Sequence, residues 1–226
     1  MDINKVTVDT AVIQNNITYN GKTILTYKIE YPEFKSPEYQ APLNAINAYN
    51  KKRAIDYKSY LENDLFHLAV KQYKEAIRDN FPTQAFEALF IYKLTYNQRC
   101  ILSLYFEKYE FTGGAHGNTI RYSQTFNLLE PSRIHLNELF ARSVDYHKYI
   151  FKDIKAQIEK DPGLYFEDYT KLLVEAFNEY SFYCTPKGIV VYYQHYDIAP
   201  YSSGIREFLI PYSKCVLNPE TECLPS

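Results

Sequence analysis

The order of residue patterns predicts an α+β fold, an antiparallel sheet with a long helix packed on it, followed by a second α+β subdomain. Three observations carry this expectation. Two strand-like segments between Val6 and Glu33 are joined by Asn20-Gly21, a pair suited to a tight primed turn because both central positions need positive φ. From Leu43 to about Arg78 the apolar period lengthens to three or four residues, which is the spacing of one helix face. Strand chemistry then returns at Phe86, and a second mixture of helix and strand patterns fills the C-terminal half.

In the first segment Leu25, Tyr27 and Ile29 alternate with Thr26 and Lys28, as in a half-buried strand. Pro32 weakens continuation of that strand because it lacks a donor. The long stripe runs through Leu43, Ile46, Asn50, Ala54, Tyr57, Leu61, Leu65, Ala69, Tyr73 and Ile77, as one helix or two with a break. Pro42 fits its first position and Asn80-Phe81-Pro82 ends it. Phe86 to Asn97 and Arg99 to Phe111 read as strands, as does Ile120 to Leu128 after the glycine-rich segment between them. Leu136 to Phe140 reads as a short helix. Tyr146, Ile150, Ile154 and Ile158 form the buried stripe of another, stopped by Asp161-Pro162-Gly163. A further helix is expected near Tyr169 to Phe177. Ser181 to Thr185 and Ile189 to Tyr193 flank Pro186-Lys187-Gly188 as a hairpin, Gln194 to Ser203 is a loop, and Ile205 to Ile210 is a last strand. The boundary is expected near Phe111 to Asn118, giving subdomains 1–111 and 112–226.

The chain has 226 residues, enough to bury a sizeable core, and a formal net charge of −2. That charge offers no field to attract nucleic acid or an anionic membrane, so neither is expected as a partner. No apolar run is long enough to span a bilayer, and the N-terminus lacks the basic start and apolar core of a signal peptide. Taken literally the chain is cytoplasmic. If a leader or anchor has been removed, it is extracellular or in the cell envelope. The 24 tyrosines with no tryptophan suit half-buried strands and wet interfaces alike. Of the four cysteines, Cys100 and Cys184 lie in apolar strand-like runs and read as small buried hydrophobes. Cys215 and Cys223 flank a short Pro-containing segment that could bridge in an oxidising compartment.

Three segments carry a family resemblance. They are Tyr109-Glu110-Phe111-Thr112-Gly113-Gly114-Ala115-His116-Gly117-Asn118, then Phe126-Asn127-Leu128 with Ile134 to Phe140, and then Gly188 to Tyr193 continuing through Tyr196-Asp197-Ile198-Ala199-Pro200-Tyr201 to Ile210-Pro211-Tyr212. In order and spacing they resemble the C-terminal domain of RsiV-type anti-sigma factors. The region before them is similar to the domain that precedes it there, one that also stands N-terminal in the peptidoglycan deacetylase PdaC. The resemblance implies a sensor-like α+β fold and a binding role, with a lysozyme-like protein or a peptidoglycan fragment as partner. The chain shows no membrane helix and no sigma-binding segment before this part, and no deacetylase domain after it. Glu130-Pro131-Ser132 stands where relatives usually carry a glycine. The expected function is therefore non-enzymatic binding or sensing.

Candidate ligand-binding residues fall in two loops: Gly113, Gly114, His116 and Asn118 in the first, and His195, Tyr196, Pro200 and Tyr201 in the second. The glycine segment can cradle an anion on backbone N–H groups or can be a structural turn; it lacks the Lys and following helix of a phosphate loop. In the second loop Pro stiffens the backbone and Tyr offers contact area at low entropy cost. Tyr196 and Tyr201 either reach a partner or pack back on the sheet. A rival reading joins His116, His195 and Asp197 as a hydrolytic acid–base set, and a third is a cytoplasmic interaction protein. Neither a cysteine nucleophile at Cys184 nor a serine at Ser202-Ser203-Gly204 has a base or elbow pattern beside it. No catalytic residue, cofactor or metal is expected from the spacings.

Overall fold

The computed structural model describes residues 6–129 and 132–223. Glu130 and Pro131 of the turn singled out above lie outside them, as does the start of the N-terminal segment. Six strands form one sheet in the order β1-β2-β3-β4-β5-β6: Thr7–Tyr19, Lys22–Lys35, Phe86–Gln98, Ile101–Phe111, Asn118–Asn127 and Ser132–Arg133. Three further strands, β7 Phe182–Thr185, β8 Gly188–Tyr193 and β9 Arg206–Pro211, form a second sheet. Contacts divide the chain into two compact units. One comprises Val6–Tyr92 and Phe106–Ile120; the other comprises chiefly Lys93–Tyr105 and Arg121–Ser226.

In the first unit β1 and β2 pair antiparallel from Thr7↔Lys35 to Tyr19↔Lys22. Their turn is Asn20-Gly21, with φ of 50° and 74°. Leu25, Tyr27, Ile29 and Tyr31 of β2 are buried, so the alternation in the sequence marks the inner face. Helix α1 (Gln40–Tyr60) continues through a π turn at Leu61–Leu65 into α2 (Phe66–Arg78), and both helices pack on β2. Asn47 fixes α1 to the strand end through a pair of bonds with Phe34, each 2.8 Å. Pro42 lies two residues inside the helix start, still in the turn where N–H groups have no intrahelical acceptor.

Three details of this unit differ from the sequence reading. The sheet is not antiparallel throughout: β2 and β3 pair in parallel, Leu25↔Phe86 to Ile29↔Phe90. The chain returns to the sheet through the long helix, and a helical crossover delivers the next strand in parallel where a hairpin would reverse it. Pro32 does not interrupt β2, because the β3 pairing stops at Ile29 and its missing donor leaves no bond unmade there. The apolar stripe of the helix also ends early, since Ala69 is buried but Ile77 is 60% exposed. A strict four-residue spacing advances about 40° around an α-helix per step, so by Ile77 the stripe has rotated away from the sheet.

In the second unit β7, β8 and β9 pair antiparallel, with Thr185↔Gly188 closing the Pro186-Lys187 turn. Helix α3 (Tyr146–Ile158) packs on β9 through Ile150, Ile154 and Ile158, all fully buried. Asp145 caps it by accepting the Lys148 N–H. A 3-10 turn at Leu136–Leu139 is closed by a capping box of His135 and Glu138, and α4 spans Tyr169–Glu175.

The cysteine pairing corrects the sequence reading. Cys100 is bridged to Cys223 with Cα atoms 5.6 Å apart, while Cys184 and Cys215 are free thiols. Cys215 is held elsewhere by its own backbone, whose carbonyl accepts the Ala141 N–H at 3.0 Å. The chain then returns to Cys100 as Tyr96 donates to Asn218 and Glu220, and Arg99 pairs with Glu220.

Much of the tyrosine excess lies in the core. Tyr27, Tyr57, Tyr96 and Tyr193 are buried, yet each hydroxyl finds an acceptor, on Glu62, Glu110, Asn218 and the Leu173 carbonyl respectively. Tyr serves here as a large apolar ring whose one polar atom can be satisfied at the edge.

Candidate binding loops

The glycine loop belongs to the first unit. Gly113 and Gly114 have φ of 97° and 90°, a region that side chains disfavour. Gly117 is required for a different reason: a Cβ there would lie 2.4 Å from the Tyr109 ring, which covers it. His116 is exposed, and its Nδ1 sits 2.9 Å from the Gly117 carbonyl. That contact closes the turn locally. Asn118 is exposed and opens β5.

Gly113 sits beside side chains that sequence reasoning did not single out. A Cβ on it would meet Gln72 Nε2 at 3.0 Å and Gln84 Oε1 at 3.5 Å. Gln72, Tyr73, Phe81, Thr83 and Gln84 line a cavity of about 240 Å³. Its rim is held from several sides. Lys22 Nζ donates to Thr83 Oγ1 and lies 5.9 Å from the Tyr73 ring, and Tyr19 meets that ring edge-on. Asn80 takes a φ of 57°, and the Phe81 N–H donates to the Ala76 carbonyl at 2.8 Å. The Phe81 backbone is thus fixed by the helix end while its side chain is 69% exposed. The only sequence signal for this was Phe81 between Asn80 and Pro82, which reads as a helix terminus.

The second loop belongs to the second unit. Gln194 anchors its base by accepting the Arg121 N–H at 3.0 Å and donating to the Arg121 carbonyl at 2.6 Å. Asp197 accepts the Gln194 N–H at 2.7 Å. Burial raises the Asp197 carboxyl above its ordinary range, partly offset by that N–H. Ile198 and Ala199 are buried, and the Ile198 carbonyl accepts the Phe166 N–H. His195 stacks on Tyr201 with centroids 4.5 Å apart, and the Tyr196 ring is 5.8 Å from the same ring. Tyr201 is half-buried, whereas Pro200 is exposed and Tyr196 is 56% exposed on a residue whose φ is 68°. The two tyrosines therefore divide the alternatives: Tyr201 packs inward as support and Tyr196 faces solvent.

His116 and His195 belong to different units, and Asp197 is engaged with its own loop backbone. Cys184 is fully buried and its thiol is pushed up to about 12 by burial, so it stays protonated near neutral pH. Among the described residues no group of three or more His, Cys, Asp or Glu could hold a metal ion, and no helix is long and apolar enough to cross a membrane.

Comparison with known proteins agrees with this architecture. The family model described as deacetylase PdaC matches residues 18–119, and the model described as a protein of unknown function, DUF3298, matches residues 137–213. The chain is 24% identical over 133 residues to the peptidoglycan-N-acetylmuramic acid deacetylase PdaC of Bacillus subtilis (strain 168). That match covers 57% of this chain but only 24% of the deacetylase. A crystal structure of a DUF3298 family member from Bacteroides fragilis shares the fold with a TM-score of 0.67 at 20% identity, over 94% of this chain and 92% of that one. A DUF3298 protein from Pseudomonas aeruginosa PAO1 gives a TM-score of 0.59 at 17% identity, over 95% of both chains. The chain is a PdaC-like domain followed by a DUF3298 domain, and its structural neighbours are DUF3298 proteins.

Proposed function

We propose that this chain is a non-enzymatic recognition module of the cell wall, and that its 194–203 loop enters the cleft of a lysozyme-like protein. The observation that carries the reading is Tyr196, an exposed aromatic on a loop whose backbone is tied down by Gln194, Asp197 and the buried Ile198. A stiff loop loses little entropy on binding, and a Tyr at its tip gives large contact area. The likeness of 133 residues of this chain to a peptidoglycan deacetylase supports the setting. The Cys100–Cys223 bridge favours an oxidising compartment, hence the cell envelope. The related protein is named a deacetylase, but the shared region is about a quarter of it, 24% of its length. Deacetylation is therefore not part of this reading.

The test is calorimetry of the full chain against lysozyme, with Tyr196→Ala beside the wild type. Binding that weakens at least about tenfold in the variant is expected, in line with an aromatic hot spot. No binding by the wild type, or equal binding by the variant, would overturn the reading.

A further inference from the structure

We propose that β1 is a self-association edge, and that two copies of the chain pair β1 to β1, antiparallel, about a two-fold axis at Ala11. This goes beyond the recognition reading and does not rest on the 194–203 loop, since β1 belongs to the first unit.

Strand β1 stands at one end of the six-stranded sheet, and β6, a strand of only two residues, stands at the other. An edge strand presents a row of N–H and C=O groups without ladder partners. Two observations identify the residues that carry this row. Thr10 lies opposite Pro32, which has no N–H to give, so the backbone groups of that pair face away from each other. The Asn16 N–H, on the same alternation, donates to its neighbour Asn15 Oδ1 at 2.9 Å and so also points away from β2. The outward residues are therefore Val8, Thr10, Val12 and Gln14, with Asn16 already satisfied. Among the described residues no backbone bond from outside the β1–β2 pair reaches them.

The side chains leave this edge open. Sheet edges are commonly defended by Lys, by Pro or by a covering element. β1 contains no Lys, Arg or Pro, and its single charged residue, Asp9, is paired with Lys35 at 2.6 Å. All four outward residues are exposed, Val12 to 49%.

The edge is complementary to itself. With the axis at Ala11, Thr10 faces Val12 of the partner subunit and Val8 faces Gln14 of the partner subunit. Every outward residue then meets another outward residue, giving about eight ladder bonds in all. Moving the axis to Val12 would set Val8 against the occupied Asn16, and moving it to Thr10 would set Gln14 against Val6, outside the strand. Ala11 meets its own copy in the closer, non-hydrogen-bonded kind of pair, where a small side chain fits. Asp9 faces Ile13 of the partner subunit, so the two carboxylates are not opposed, and Thr10 with Val12 makes a β-branched cross-strand pair. A nearly neutral strand offers no charge to select a different extended peptide, whereas its own sequence satisfies each free group. A closed two-fold dimer also consumes the edge, so pairing stops at two.

The experiment is analytical ultracentrifugation of the full chain from about 1 μM to about 500 μM. A reversible monomer–dimer equilibrium is expected. Val12→Pro removes an N–H that the monomer does not use, so it weakens dimerisation about tenfold or more while circular dichroism and Tm stay as in the wild type. Tyr196→Ala dimerises like the wild type, which separates this edge from the loop assigned to a protein partner. The register is read by a gain of function. Non-hydrogen-bonded Cα atoms about 4.5 Å apart lie within the span of a disulfide. Ala11→Cys with oxidised glutathione therefore gives a covalent dimer on a non-reducing gel, above the background set by the wild type with its free Cys184 and Cys215. Val8→Cys does not. The proposal is overturned if the wild type stays monomeric throughout, including when the edge instead binds an added extended peptide. It is equally overturned if Val12→Pro dimerises as well as the wild type, or if Val8→Cys crosslinks as readily as Ala11→Cys.

Discussion

At the scale of single residues the glycine loop shows how a conformation becomes a composition. Gly113 and Gly114 hold positive φ, but Gly117 is fixed by space, because the Tyr109 ring lies where its Cβ would be. Gly117→Ala forces that ring to swing outward, uncovering the backbone it shields. The expected cost is about 1–2 kcal/mol, the lower range for overpacking, since the displaced atoms belong to a side chain and not to backbone. Urea unfolding of the variant checks it; an unchanged midpoint would show that the ring moves freely. The loop itself is legible in the sequence, because adjacent glycines announce an unusual backbone. Its neighbours Gln72, Phe81 and Gln84 are not legible. They are polar or apolar residues of ordinary type, brought to Gly113 only by the return of the long helix to the sheet.

At the scale of elements the legible parts are those specified by local periodicity. Ile150, Ile154 and Ile158 lie on one face for three turns, and α3 packs on β9 through them. The stripe of the long helix fails only where its four-residue spacing has drifted off axis, at Ile77. Long-range facts escape such reading. The parallel pairing of β2 with β3 follows from the crossover, and Cys100 meets Cys223 across 123 residues of sequence. That bridge staples the 3-10 turn at Pro219–Cys223 to the β3–β4 turn. Closing a loop of this length removes much disorder from the unfolded chain, about 4.7 kcal/mol in the entropy model for 100 residues. Cys223→Ser is therefore expected to lower stability by several kcal/mol, on the order of 3–5. Cys215→Ser, at a free thiol, is expected to leave it nearly unchanged. Denaturant curves with and without reductant compare the two; equal midpoints for the two variants would argue against the Cys100–Cys223 pairing.

At the scale of the whole molecule the abundance of tyrosine sets the response to alkali. Burial is the first cause raising Tyr27, Tyr96, Tyr183, Tyr193 and Tyr212, and in each a neighbouring acidic group adds to it, Glu62 beside Tyr27 and Glu220 beside Tyr96 for example. Tyr146 is raised to about 12 by burial and then by its bond to Glu179. An unfolded tyrosine ionises near pH 10, so the unfolded chain loses these protons before the folded one does. A folded value above the unfolded value gives stability that is complete below about pH 10 and is lost as pH rises through the folded range. The urea midpoint is expected to stay level up to about pH 9.5 and to fall steeply above about 10. Ionisation of the raised tyrosines, read as tyrosinate absorbance, should therefore rise together with loss of circular dichroism. A single stage near pH 10 with the fold intact would mean that the buried hydroxyls are not held by their acceptors, and that the core tyrosines contribute through their rings alone.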